Sequence, residues 1–153
     1  MAASEFYYTL NNSDLDAFRS EGIRRFEIFK SKSSIDSSLS ATQMYDLLFK
    51  PLGRILCVIS RNKTPVGMAV LVESEDLFRG KKILAIEVCQ IDSAPDIFED
   101  LYAEIDRLAH MDGYDVVQFA FTRKGWLRKM KMQADKGYKV TMNIAEKEYG
   151  RRQ

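Results

Sequence analysis

The chain has 153 residues, 46% of them hydrophobic and 29% charged, which is enough for one packed core and too few to require two. Its formal net charge of +1 excludes a global electrostatic pull toward nucleic acid or anionic lipid, so any such attraction has to come from local patches. No run reaches the roughly 20 apolar residues of a membrane-spanning helix, and the polar start Met1-Ala2-Ala3-Ser4-Glu5 lacks the basic-then-apolar layout of a signal peptide. The expectation is a cytoplasmic protein with one domain over residues 5–149 and short tails at 1–4 and 150–153.

Phe6-Tyr7-Tyr8-Thr9-Leu10 has the aromatic and β-branched content of a strand, and Asn11-Asn12-Ser13-Asp14 supplies turn and helix-cap chemistry after it. From Leu15 to Phe29 apolar residues recur at roughly helical spacing, with Gly22 expected to split or bend the helix. The serine-rich stretch Ser31 to Ser40 reads as a loop, and Ala41 to Phe49 as a second helix ended by Pro51. Two strand-length runs follow, Arg54 to Ser60 and Pro65 to Val72, separated by the turn Arg61-Asn62-Lys63-Thr64. They are expected to form an antiparallel hairpin. Glu73 to Lys82, charged and carrying Gly80, reads as a connection.

Ile83 to Ile91 is the strand around which the other elements are placed, and it leads into a helix opened by Asp92-Ser93-Ala94-Pro95-Asp96. That helix puts Ile97, Phe98, Leu101, Ile105 and Leu108 on one side and closes at Gly113. Asp115 to Thr122 is the next strand. A strand, helix, strand crossover of this length implies parallel strands that start together. Arg123 to Lys136 is a basic helix with Gly137 as its end cap, and Tyr138 to Lys147 alternates polar and apolar residues as a half-exposed strand does. Cys57 and Cys89 stand apart in apolar strands and read as buried free thiols. With one histidine, His110, and no clustered cysteines, a dedicated zinc site is not expected.

The order strand, helix, helix, three strands, helix, strand, helix, strand resembles the GNAT acyltransferase superfamily. Pro65-Val66-Gly67-Met68-Ala69 looks like that family's third strand, and Ala120 to Tyr138, ending in Lys136-Gly137-Tyr138-Lys139-Val140, looks like its helix closed by a glycine and an aromatic. The resemblance covers residues 5–149. It implies an α/β fold of the α+β kind, a splayed mixed sheet of six to seven strands with the central and basic helices packed on it.

In the family, acetyl-CoA lies where the fourth and fifth strands splay, with its pyrophosphate on a glycine-rich loop at the central helix. By position the residues for this are Val88, Cys89, Gln90, Ile91, Ser93 and Ile97. The loop here has no glycine, Pro95 lacks an amide, and Asp92, Asp96, Glu99 and Asp100 put carboxylates where two phosphates would go. The family's tyrosine acid falls on Gln133, and an amide cannot donate a proton at neutral pH. Glu87, in the fourth strand, is the candidate general base. Because Ile86 and Val88 flank it, regular alternation turns it to the side opposite both.

Arg123, Lys124, Trp126, Arg128, Lys129 and Lys131 form a local basic patch. As a functional feature it suits nucleic-acid phosphates with Trp126 stacking, or an acidic protein surface; as a plain one it is the solvated face of a helix. The leading reading is a diverged GNAT-like domain without the usual cofactor loop or acid, with no cofactor expected, serving as a binding or assembly component beside other protein chains. Small domains resembling it are encoded by tailed bacteriophages, some as virion proteins. The alternative is an active N-acetyltransferase using acetyl-CoA with Glu87 as base, and a third reading is a nucleic-acid accessory protein acting through residues 123–139.

Overall fold

The computed structural model describes residues 3–9, 11–32, 39–48, 54–119, 137 and 147. The chain divides into two compact units, Met1–Phe121 and Thr122–Gln153. Nearly all described residues belong to the first. The expected basic helix and final strand lie outside the described residues, although Gly137 has a φ of 89°, in the left-handed region that a glycine end cap adopts.

Among its described residues the first unit holds a five-stranded sheet in the spatial order β1-β2-β3-β4-β5. Its strands are β1 (Glu5–Tyr8), β2 (Arg54–Arg61), β3 (Thr64–Asp76), β4 (Lys81–Ile91) and β5 (Val116–Phe119). The first three pairings are antiparallel and β4 with β5 is parallel; the β2/β3 hairpin and the parallel crossover are those expected from the sequence. Four helices accompany it: α1 (Asn12–Ala17), α2 (Arg19–Lys32), α3 (Ala41–Leu48) and α4 (Pro95–Asp112). Among the described residues no helix is long and apolar enough to cross a membrane.

Local chemistry accounts for the boundaries. The Asn11 side chain caps α1 by accepting from the Asp14 amide. Ser40 and Gln43 satisfy each other's amides at the start of α3, a reciprocal capping box. Asn62 and Lys63, with φ of 50° and 63°, make the two-residue turn between β2 and β3. Gly113 ends α4 at φ 70°.

Two expectations change. The break between α1 and α2 falls at Phe18, and Gly22 lies inside α2, where its missing side chain admits Tyr45 of α3: a Cβ there would stand 2.2 Å from Tyr45 Cε2. The glycine serves helix packing, so it neither splits nor bends the helix. Residues 73–82 are also mostly strand. Glu75 faces Lys82 and Asp76 faces Lys81 across the β3/β4 ladder, and opposite charges on facing strands favour continued pairing, so the true turn shrinks to 77–80.

The sheet separates two apolar layers. On one face Leu56, Val58, Met68, Val70 and Val88 meet Phe26, Ala41 and Tyr45, with Leu15, Phe18, Ile23 and Met44 around them. Register places Cys57, Ala69, Leu71 and Ile86 on the opposite face. There α4 buries Ile97, Phe98, Leu101, Tyr102 and Ile105, and Tyr102 meets Phe119 of β5 edge-on at 5.4 Å.

Candidate functional site

The site begins with an irregularity in β4. Val70 pairs with Val88 but Leu71 pairs with Ile86, so Glu87 is an extra residue, a β-bulge. Adjacent residues of β3 point to opposite faces, so Ile86 and Val88 do too. Regular alternation had put both on the side away from Glu87; the bulge breaks that parity. Its carboxylate is held by Arg54 from the first position of β2, with Nε to Oε2 at 2.9 Å and Nη2 to Oε1 at 3.1 Å.

Beyond the bulge, β4 presents backbone outward. The amide of Asp92 donates to Val66 O at 2.9 Å, which makes Asp92 and Val66 a hydrogen-bonded antiparallel pair. Such pairs alternate. Gln90 and Val88 therefore exchange bonds with β3, while the N–H and C=O of Cys89 and Ile91 point away from it. The parallel pairing with β5 covers Ile83 to Ile86 among the described residues, and there the outward amide of Ile91 faces no strand, while its carbonyl accepts from Gln90 Nε2 at 3.5 Å. Gly67 sits opposite Ile91 in this stretch, and a Cβ on it would come within 2.6 Å of Ile91 Cγ2.

At the start of α4 the charge problem raised by the sequence is largely answered by arginines. Asp92 is paired with Arg25 at 2.8 Å. Arg61, at the end of β2, takes Asp96 at 2.8 Å and Asp100 at 2.9 Å, and Ser4 donates to Asp100 at 2.6 Å. Ser4 and Arg61 together hold the Asp100 carboxyl below its ordinary value. The N-cap is Ala94, which offers no side-chain cap, so the aspartates serve ion pairs and not capping. The amides of Asp92, Ala94 and Ile97 already donate to carbonyls, and Pro95 has none. Those of Ser93 and Asp96 donate to no group among the described residues. Ser93 is exposed, while the Ile97 side chain lies in the core.

Arg25 is the residue that the sequence concealed. Its side chain is 0% exposed. Nε donates to Glu21 Oε1 at 2.7 Å, Nη1 to Gln90 Oε1 and Asp92 Oδ1 at 2.8 Å each, and Nη2 to Pro65 O at 3.2 Å. The available signal was spacing, since Gly22, Arg25 and Phe26 stand at i, i+3 and i+4 of α2 and are all buried.

On the α4 face, Tyr8 donates to Glu104, which Arg107 also grips at 2.5 and 2.9 Å. Burial, and then the bond to Glu104, raise the Tyr8 hydroxyl well above its ordinary range. Arg107 holds the Glu104 carboxyl below its own. Burial likewise pushes the Cys57 thiol far up, while Cys89 is half-buried; both are free thiols. His110 is exposed in the last turn of α4 and its Nδ1 lies 2.7 Å from Asp106 O. Tyr114 donates to Glu73, which commits its hydroxyl to a carboxylate. Glu87, Val88, Cys89, Gln90, Ile91, Ser93 and Ile97 thus come together along the end of β4 and the start of α4. Arg123, Lys124, Trp126, Arg128, Lys129, Lys131 and Gln133 lie outside the described residues.

No protein-family model matches the sequence, and no curated protein matches it. Solved structures do. A GNAT family acetyltransferase from Staphylococcus aureus is similar at a TM-score of 0.67 and 11% identity, over 97% of this chain and 100% of that one. A possible acetyltransferase from Clostridium difficile is similar at 0.67 and 15%, over 97% and 99%. An aminoglycoside N-acetyltransferase in complex with CoA is similar at 0.64 and 12%, over 97% and 96%. At such identities the likeness establishes the fold: a mixed α/β architecture of the GNAT acetyltransferase kind.

Proposed function

We propose that this chain, built on the acetyltransferase fold, is an acyl-CoA-dependent N-acyltransferase. The observation that carries the proposal is the bulge at Glu87, followed by the outward-facing amide of Ile91, beyond the last described pairing of β4 with β5. A strand edge of this kind is suited to the amide-bearing arm of a CoA thioester, which can add to it as a strand would. The amides of Ser93 and Asp96, which donate to no group among the described residues, suit the pyrophosphate, and the arginine pairing of Asp92, Asp96 and Asp100 removes much of the repulsion that bare carboxylates would exert.

The thioester supplies an activated acyl carbon and a sulfur leaving group. In the proposed reaction the acceptor's amine nitrogen bonds to that carbon, the carbon–sulfur bond breaks, and the nitrogen's proton passes to Glu87 directly or through water. Arg54 orients the carboxylate by two bonds. A thiolate is a good leaving group compared with an alkoxide, so it can depart without a dedicated acid. Gln133 at the tyrosine position therefore slows the reaction without forbidding it.

A second reading is favoured by the same ion pair. A carboxylate with both oxygens already engaged by a guanidinium has less room to take up an acceptor, which suits a domain that binds without turning over, the assembly component of the phage-encoded kind. Calorimetric titration with acetyl-CoA, followed by thiol release across a panel of amines, separates the two. Micromolar binding with release supports the transferase; absence of binding at millimolar acetyl-CoA overturns it and leaves the assembly component.

A further inference from the structure

Arg25 is buried far more completely than any stability argument requires. Removing a guanidinium from water carries a large desolvation penalty, and an apolar side chain of similar volume often serves a core as well or better. What the guanidinium supplies is geometry, because its donors form a rigid planar fork. Here that fork is satisfied by four elements of structure at once: Glu21 in α2, Pro65 O at the start of β3, Gln90 near the end of β4, and Asp92 just beyond it. Gln90 lies between Cys89 and Ile91, and Asp92 directly precedes Ser93.

We infer that Arg25 is a positioning residue for acyl-CoA, fixing the end of β4 so that the amides of Ile91 and Ser93 are set before the ligand arrives. This rests on the transferase reading above. Preorganisation of this kind raises affinity by removing the ordering cost from the binding step.

Charge provides a test with opposite signs. Acetyl-CoA is anionic, so if Asp92 acted only through its charge, removing that charge would tighten binding. If Asp92 is the anchor for Arg25, removing it loosens the strand end and weakens binding. The experiment is calorimetric titration of the full chain with acetyl-CoA for wild type, Asp92→Ala and Asp92→Asn, with KM and kcat measured beside it. The Asp92 side chain is 52% exposed, so neither change opens a core cavity.

Asp92→Ala is expected to weaken binding about tenfold, the scale of one lost hydrogen bond to a charged group, with KM rising and kcat little changed. Asp92→Asn keeps an oxygen for Arg25 Nη1 and is expected to restore affinity to within about threefold of wild type. Should the alanine variant not fold, Gln90→Ala removes a neutral partner of the same guanidinium and carries the same expectation of weaker binding. Asp92→Ala binding as tightly as wild type, or more tightly, overturns the inference alone. A wild-type chain that binds no acetyl-CoA overturns the transferase reading and this inference with it.

Discussion

Arg54 and Glu87 join the first residue of β2 to the bulge of β4 by a two-point ion pair that passes over β3. Arg54 is 25% exposed and Glu87 33%, so water screens the pair and its contribution to stability is small. Its effect on position is larger, because a carboxylate gripped at both oxygens has one orientation.

Glu87→Gln should therefore separate chemistry from folding. Stability to urea is expected to change by less than about 1 kcal/mol, while kcat falls about a hundredfold, at the low end for loss of a general base. Acetyl-CoA affinity should stay near wild type. A kcat within twofold of wild type would remove Glu87 from the reaction.

Gly67→Ala tests the close approach of β3 and β4 beside the open edge. The new Cβ would lie 2.6 Å from Ile91 Cγ2 and 3.1 Å from Ile91 Cα, and the backbone atom cannot swing aside as a side chain can. We expect a loss of about 1–3 kcal/mol, the usual range for overpacking. Ile91→Ala should recover part of it in a double-mutant cycle measured by urea denaturation. Full additivity would show that the two residues do not meet.

The acid limb of stability should report Glu104 and Asp100. Arg107 holds the first below its ordinary 4.5, and Ser4 with Arg61 holds the second below 3.8. With the folded values depressed, the unfolded chain binds more protons in this range, so stability rises with pH there. The contribution is whole above about pH 5 and drains as pH falls through the folded values. Urea midpoints measured from pH 7 to pH 3 should be level at first and then decline, and Glu104→Gln should make the decline shallower. An unchanged slope would show that Glu104 titrates alike in both states.

The two thiols should differ sharply in reactivity. Cys57 is 1% exposed and its thiol is pushed up by burial, whereas Cys89 is half-buried near the end of β4. In the native protein at pH 8, N-ethylmaleimide should modify Cys89 at least about a hundredfold faster than Cys57, which reacts as thiolate only when the chain opens. Peptide mapping by mass spectrometry assigns each label, and equal rates would contradict the burial of Cys57.

Much of the sheet was legible because its signals are local. The runs at Arg54 to Ser60 and Ile83 to Ile91, the cap at Asn11 and the stop at Gly113 each act within a few residues. The bulge at Glu87 was not legible, since it is a mismatch of register between two strands and neither strand carries it alone. Gly22 was misread for a similar reason. Its meaning lies in Tyr45, 23 positions away on another helix. The carboxylates before α4 looked like an obstacle to phosphate because Arg25 and Arg61, which pair with three of them, come from distant positions. Charge that neutralises charge across the fold leaves no mark in a short window of sequence.

The spatial order of the strands is their order in the chain, and this bears on how the unit is built. Each antiparallel partner of β2, β3 and β4 is a neighbouring strand in sequence, and two of these pairs close through short turns at 62–63 and 77–80. During synthesis β3 and β4 can each dock on an edge made just before it, whereas β2 reaches β1 only after α1 to α3 and β5 reaches β4 only after α4. Among the described strands the last to join is therefore β5, along its parallel seam with β4. A chain stalled before that step would carry β4 with its whole outer edge bare, which is the form most exposed to strand addition by another copy.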